Sequence, residues 1–183
     1  MTRFHVDAAI GPEVVPAGVA DVSERRGETR ATTFRYDDGY LGRRAAPIAP
    51  GWTLAQRVHV SPGLAGVFGD SAPDRWGRRL IARGERQRAH DEGRVPRTLT
   101  ETDYLLGVAD ETRQGSLRFR LEPGGEHAAR SRTGVPKLIA LPELLTAADE
   151  VARDPDDWTA VKTLLDAGTG SLGGARPKAS IRD

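Results

Sequence analysis

The sequence predicts an α+β fold, in which an N-terminal subdomain of short antiparallel strands with packed helices precedes a helical stretch. Three observations carry this. Val14 to Ser23 and Thr29 to Tyr36 concentrate β-branched and aromatic residues between glycine-containing turns, the pattern of short antiparallel strands. From about residue 70 onward the apolar residues recur at helical spacing, with acidic caps and prolines at the starts. Ser116 to Leu121 then returns to strict alternation, with Leu117, Phe119 and Leu121 on one side and Arg118 and Arg120 on the other.

Taken in order, Asp37, Asp38 and Gly39 end the second strand segment as turn residues. Tyr40 and Leu41 follow as core anchors, and Ala45 to Gly51 is a proline-bearing loop. Asp70 or Ser71 is expected to cap a helix with Pro73 and Asp74 in its first turn. Trp76 and Leu80 share one face of that helix, Gly84 weakens its end, and Asp91 to Pro96 is a loop. Thr100 with Asp103 has the form of a reciprocal helix cap ahead of Tyr104, Leu105 and Leu106. Glu122 to Val135 is polar and glycine-rich, a flexible connection. Pro142 to Arg153 predicts a helix with Leu144, Leu145, Ala148 and Val151 inward. A last helix is expected to begin with Asp154 as cap and Pro155 at its first position, with Trp158, Val161, Leu164 and Leu165 as its stripe and Gly168 as its left-handed end.

The bulk numbers exclude several classes. In 183 residues there is no cysteine, which excludes a disulfide framework and a thiolate metal site. Lysine plus arginine number 27 and acids 26, so strong attraction to nucleic acid or membrane is not expected. The charge is uneven, with Arg75, Arg78, Arg79, Arg83, Arg86, Arg88, Arg94 and Arg97 in one stretch. Arginine far outnumbers lysine, and alanine and glycine abound, the mark of GC-rich coding. No apolar run is long enough to span a membrane, and Met1 to Asp7 lacks the apolar core of a signal peptide, so a cytoplasmic protein is expected.

The segment with most chemical content is Gly168-Thr169-Gly170-Ser171-Leu172-Gly173-Gly174-Ala175-Arg176-Pro177-Lys178. Its glycines satisfy a dinucleotide-binding spacing, but a helix precedes it and Pro177 follows, where a strand and then a helix are required. A Walker loop needs Lys followed by Ser or Thr, and Lys178 is followed by Ala179. A third class of glycine-rich loop covers the phosphates of ATP in kinases, because glycine lets backbone N–H groups approach phosphate oxygens. The residues alone leave this open against a plain helix-end loop.

The ordered series Phe34-Arg35-Tyr36-Asp37, Tyr40-Leu41, Pro47-Ile48-Ala49-Pro50, Phe68-Gly69-Asp70-Ser71-Ala72-Pro73-Asp74-Arg75-Trp76-Gly77-Arg78, Asp103-Tyr104-Leu105-Leu106-Gly107-Val108, Gly115-Ser116-Leu117-Arg118-Phe119 and Ser171 to Lys178 resembles the HipA family, the Ser/Thr kinase toxins of bacterial type II toxin–antitoxin operons. The resemblance implies a HipA-like N-terminal subdomain over residues 1–121, a connection over 122–136, and the start of a kinase domain over 137–183. It implies an ATP-phosphate loop formed by Ser171, Leu172, Gly173, Gly174, Ala175, Arg176 and Lys178. Ser171 matches the serine whose phosphorylation silences some members, by charge repulsion against the ATP phosphates.

ATP and Mg2+ are the cofactors the resemblance implies for a complete kinase. A HipB-like DNA-binding antitoxin, or a separately encoded kinase half, is the implied partner, and DNA contact is expected through that complex. The family's ATP-binding lysine, catalytic-loop aspartate and metal-binding aspartate all follow the loop, and the sequence ends at Asp183. The expectation is therefore a truncated or split kinase that is inactive alone. The alternative is a non-catalytic module that binds a kinase half or antitoxin and regulates it.

Other residues carry weaker signals. His5, His59, His90 and His127 lack metal-ligand spacing and read as surface or core histidines. Trp52, Trp76 and Trp158 read as core or interface anchors. Trp76 among Arg75, Arg78 and Arg79 leaves open a partner-docking face.

Overall fold

The computed structural model describes residues 1–43, 45–128 and 140–167. Its strands are β1 (Thr2–Ile10), β2 (Glu13–Arg25), β3 (Glu28–Tyr36), β4 (His59–Pro62) and β5 (Leu117–Arg120). Its helices are α1 (Asp38–Leu41), α2 (Gly66–Gly69), α3 (Arg75–Asp91), α4 (Glu101–Leu106), α5 (Leu141–Arg153) and α6 (Trp158–Asp166), with a 3-10 turn at Asp110–Thr112. The α+β class is as expected. The chain forms two compact units: Met1–Ala72 with Thr100–Leu106 and Gln114–Ala128, and Pro73–Leu99 with Gly107–Arg113 and Ala129–Asp183.

The first unit is built on an antiparallel sheet in the order β4-β3-β2-β1-β5. Positive-φ glycines make the connections, Gly11 between β1 and β2 and Gly27 between β2 and β3, where a side chain would be strained. Alternation puts Phe4 and Val6 of β1, Ala20 and Val22 of β2, Phe34 and Tyr36 of β3, and Leu117 and Phe119 of β5 on a buried face. Trp52, Phe68 and Leu105 complete that core. Phe68 meets Phe4 at 5.5 Å and Phe119 at 5.7 Å edge to face, while Phe34 stacks on Trp52 at 5.1 Å. Thr100 and Asp103 form the expected reciprocal cap of α4: Asp103 accepts from the Thr100 N–H at 2.8 Å and hydroxyl at 2.9 Å, while the Thr100 hydroxyl accepts from the Asp103 N–H at 3.3 Å.

On the sheet's other face an ionic cluster closes the β1–β5 pair. Asp7, whose side chain is 3 % exposed, accepts from both the Nε and an Nη of Arg120 and lies 2.9 Å from His127 Nε2. Arg120 also donates to the Gly125 carbonyl at 3.1 Å. The Ala128 N–H bonds the Phe119 carbonyl at 2.7 Å, so the chain after β5 folds back on it.

The second unit packs α3, α5 and α6 around Trp76, Leu80, Leu144, Ala148, Val151, Val161 and Leu164. Asp74, rather than Asp70 or Ser71, caps α3, accepting the Gly77 N–H at 2.7 Å. The helix continues through Gly84 to Asp91. A Cβ at Gly84 would sit 3.0 Å from Leu165 Cδ1, so the glycine admits α6 rather than ending α3. Glu85 anchors the chain beyond α3. Its carboxylate, 3 % exposed, accepts from Arg94 at 2.6 Å and from the Arg97 backbone N–H at 3.0 Å.

Further expectations need correction. Asp157, not Asp154, caps α6, accepting the Ala160 N–H at 3.1 Å, and Pro155 lies in the preceding turn. Leu145 on α5 and Leu121 after β5 point outward, 58 % and 54 % exposed.

Candidate functional site

The glycine-rich loop, with Ser171, Leu172, Gly173, Gly174, Ala175, Arg176 and Lys178, lies outside the described residues, as does the expected helix end at Gly168. The described part offers a different feature. A cleft of about 510 Å3 in the first unit is lined by Gly18, Val19, Arg35, Tyr36, Asp37, Asp38 and Gln56. That volume lies within the range of small-ligand sites.

The cleft forms where β3 ends and the chain turns into α1. Asp37 is extended at the helix start and accepts the Gly39 N–H at 2.8 Å, while its own N–H bonds the Ala17 carbonyl at 2.9 Å. Asp38 accepts from Gln56 Nε2 at 3.0 Å. Tyr36 donates its hydroxyl to the Trp52 carbonyl and accepts the Ile48 N–H, both at 3.1 Å. Burial, only partly offset by the Ile48 bond, raises the Tyr36 pKa. Gly18 is required at the wall, since a Cβ there would fall 2.2 Å from the Arg35 carbonyl oxygen and 2.6 Å from the Phe34 ring.

Chemically, the cleft walls are engaged by the fold. Both aspartates serve as structural acceptors, as turn residues do, and the tyrosine hydroxyl bridges two backbone groups. Arg35 is exposed and forms no ion pair among the described residues. This arrangement suits recognition of a polar group better than proton transfer.

The histidines separate by environment. His59 is buried beneath the sheet, stacked on Trp52 at 5.4 Å and edge-on to Tyr36 at 5.5 Å, with Nε2 lacking a hydrogen-bond partner. Burial, then the Arg57 charge, lowers its pKa, against an opposing backbone bond from Thr53. It is a neutral core ring. His127 belongs to the Asp7–Arg120 cluster. Among the described residues no group of three or more His, Asp or Glu could hold a metal ion.

Trp52 and Trp76 are buried in the cores of their own units, and Trp158 packs half-buried against the second core. The arginines beside Trp76 remain at the surface, where Arg75, Arg79 and Arg86 are exposed. Sequence reasoning missed the cleft because sheet register alone brings Gly18 beside Tyr36 and Val19 beside Arg35. Gly18 inside a strand pattern was the one available signal.

The family model of the HipA N-terminal domain matches residues 17–97. The matched stretch runs from within β2 through α3 and includes every residue lining the cleft. No curated protein and no solved structure matches the chain. No helix among the described residues is long and apolar enough to cross a membrane.

Proposed function

With a HipA-type N-terminal region over residues 17–97 as the premise, we propose that this chain is the N-terminal part of a HipA-like Ser/Thr kinase toxin of a type II toxin–antitoxin system. One observation carries the reading: the matched domain is followed, in the expected order, by Ser171-Leu172-Gly173-Gly174-Ala175-Arg176-Pro177-Lys178. In this reading residues 137–183 begin the kinase domain. Backbone N–H groups at Gly173 and Gly174, with Arg176 and Lys178, hold the phosphates of Mg-ATP. Ser171 is the regulatory position, where a phosphate would repel those of ATP.

Phosphoryl transfer also needs a metal-holding acid and a residue that orients the acceptor hydroxyl. A glycine loop supplies neither, so in this reading the loop acts only together with those groups in a kinase half. A second reading has support of its own. The first unit encloses a full aromatic core and a polar cleft among its own residues. It is equipped to act as a binding module for a kinase half or a HipB-like antitoxin.

The test is ATP-dependent phosphate transfer by the 183-residue chain, alone and mixed with the product of the adjacent downstream reading frame. Silence alone with transfer on mixing supports the kinase reading. Silence in both, with stable co-purification, favours the binding module. Transfer by the chain alone overturns the need for a kinase half. The loop assignment is tested by Mg-ATP binding to a longer form of the protein, and equal binding after Gly173→Ala and Gly174→Ala would refute it.

A further inference from the structure

We propose that the exposed arginine stripe of α3, Arg75, Arg79 and Arg86, is a docking surface for a short acidic segment of a partner protein. Helical geometry of about 100° per residue places these three within roughly a 40° arc. The eleven steps from Arg75 to Arg86 span about 16 Å along the axis at about 1.5 Å each. All three are exposed, and none forms an ion pair among the described residues.

The placement works against the helix itself. The N-terminal turns of a helix carry partial positive charge and favour acids. Here the first turn of α3 has no acid, Arg75 is its first residue, and Arg79 follows one turn later. Of the two acids within the helix, Glu85 is engaged by Arg94, Arg97 and Arg88, and Asp91 at the far end by Gln87 and His90. Asp74 at the N-cap answers the helix dipole by accepting the Gly77 N–H, but no acid among the described residues pairs with the three arginines of the stripe. Arg83, half-buried beside the stripe, shows the same field. Burial first and the Arg86 charge next lower its pKa, Arg79 adds to this, and Asp156 and Asp154 oppose it without prevailing.

Charge and length argue for the kind of partner. The whole chain carries a net charge of only +1, whereas nucleic-acid domains are strongly basic. A run of about five extended residues covers 16 Å, so an acidic peptide segment fits the stripe in both length and charge. The proposal stands apart from the kinase reading, because a chain that never binds ATP still answers its test.

The probe is a fluorescein-labelled oligoglutamate peptide of about eight residues, titrated against the whole chain by fluorescence anisotropy at low and moderate salt. The variant Arg75→Gln/Arg79→Gln/Arg86→Gln is expected to lose about tenfold in affinity at low salt and to melt no lower than the parent, since no ion pair is removed. A control, Arg25→Gln/Arg26→Gln/Arg57→Gln, makes the same charge change at exposed sites in the other unit and should leave binding unchanged. Arg79→Glu alone provides a second reading and should also weaken binding. Equal losses in stripe and control variants, or no binding by the parent, overturn the proposal. So does tighter binding of a short DNA duplex that suffers the same loss, which would make the stripe a nucleic-acid surface.

Discussion

Glu85 offers the sharpest energetic test of the second unit. Its carboxyl pKa is lowered from 4.5 to about 2, chiefly by the Arg94 hydrogen bond and then by the Arg97 backbone N–H, against the opposing cost of burial. A depression from 4.5 to about 2, at about 1.4 kcal/mol per unit, corresponds to about 3 kcal/mol of native-state stability. Arg94 is 34 % exposed and Arg97 60 % exposed, and solvent screening reduces this toward about 2 kcal/mol. The sign follows from which state binds the proton first. Between 4.5 and about 2 the unfolded chain takes up a proton that the folded carboxylate resists. The contribution is therefore complete above 4.5 and disappears as pH falls through about 2. Urea unfolding of the parent and of Glu85→Gln should differ by about 2 kcal/mol at neutral pH, with the gap narrowing steadily below pH 4.5. Hydrogen exchange of the Arg97 amide, which donates to Glu85 at 3.0 Å, should speed up in the variant and localise the effect. A gap that stays constant down to strongly acid pH would refute the assignment of the stability to this carboxylate.

Other perturbations test the first unit. Gly18→Ala forces a Cβ against the Arg35 carbonyl and should cost about 2 kcal/mol, a fall in melting temperature of about 4–8 °C; an unchanged melt would refute the close approach. His59 is held neutral in the core, so its contribution is complete above its ordinary pKa of 6.5 and declines as pH falls below it, while the unfolded chain takes up the proton. Melting curves at neutral and mildly acid pH should show this loss in the parent and a weaker one in His59→Phe. Asp7→Ala leaves Arg120 without its carboxylate and should cost about 3 kcal/mol. A double-mutant cycle with Arg120→Gln should show strong coupling, and simple additivity would contradict the pairing.

The elements legible in the sequence are those whose signals are local. β2 and β3 announce themselves through valine, threonine and aromatic residues between glycine turns, and the Thr100–Asp103 cap spans one helical turn. β1 was not legible because Asp7 interrupts its apolar alternation, and the arginine that neutralises Asp7 lies 113 residues away. β4 reverses the usual pattern. His59 faces the core because it stacks on Trp52, while Val60 is 67 % exposed. At the starts of α3 and α6 several aspartates compete beside a proline, and backbone geometry selects Asp74 and Asp157. The cleft depends on strand register, which no short window of sequence contains. The stripe was visible as arginine-rich composition, but its separation from Glu85 required the helix to run through Gly84.

The pairing of β1 with β5 also sets the order of events during synthesis. Val6 lies opposite Phe119, so the first strand waits until the chain has grown well beyond a hundred residues before its outer partner exists. At ribosomal speeds of about 5–20 residues per second this delay is on the order of ten seconds. Hairpin formation takes only microseconds, so β1, β2 and β3 are free to zip together early. Throughout that interval the β1 edge stands open and Phe4 lacks the Phe119 ring that later meets it at 5.5 Å. A nascent chain in this condition presents an unpaired strand edge beside an uncovered aromatic, the combination that recruits chaperones or neighbouring chains. The final closure of the sheet is thus a late, long-range step.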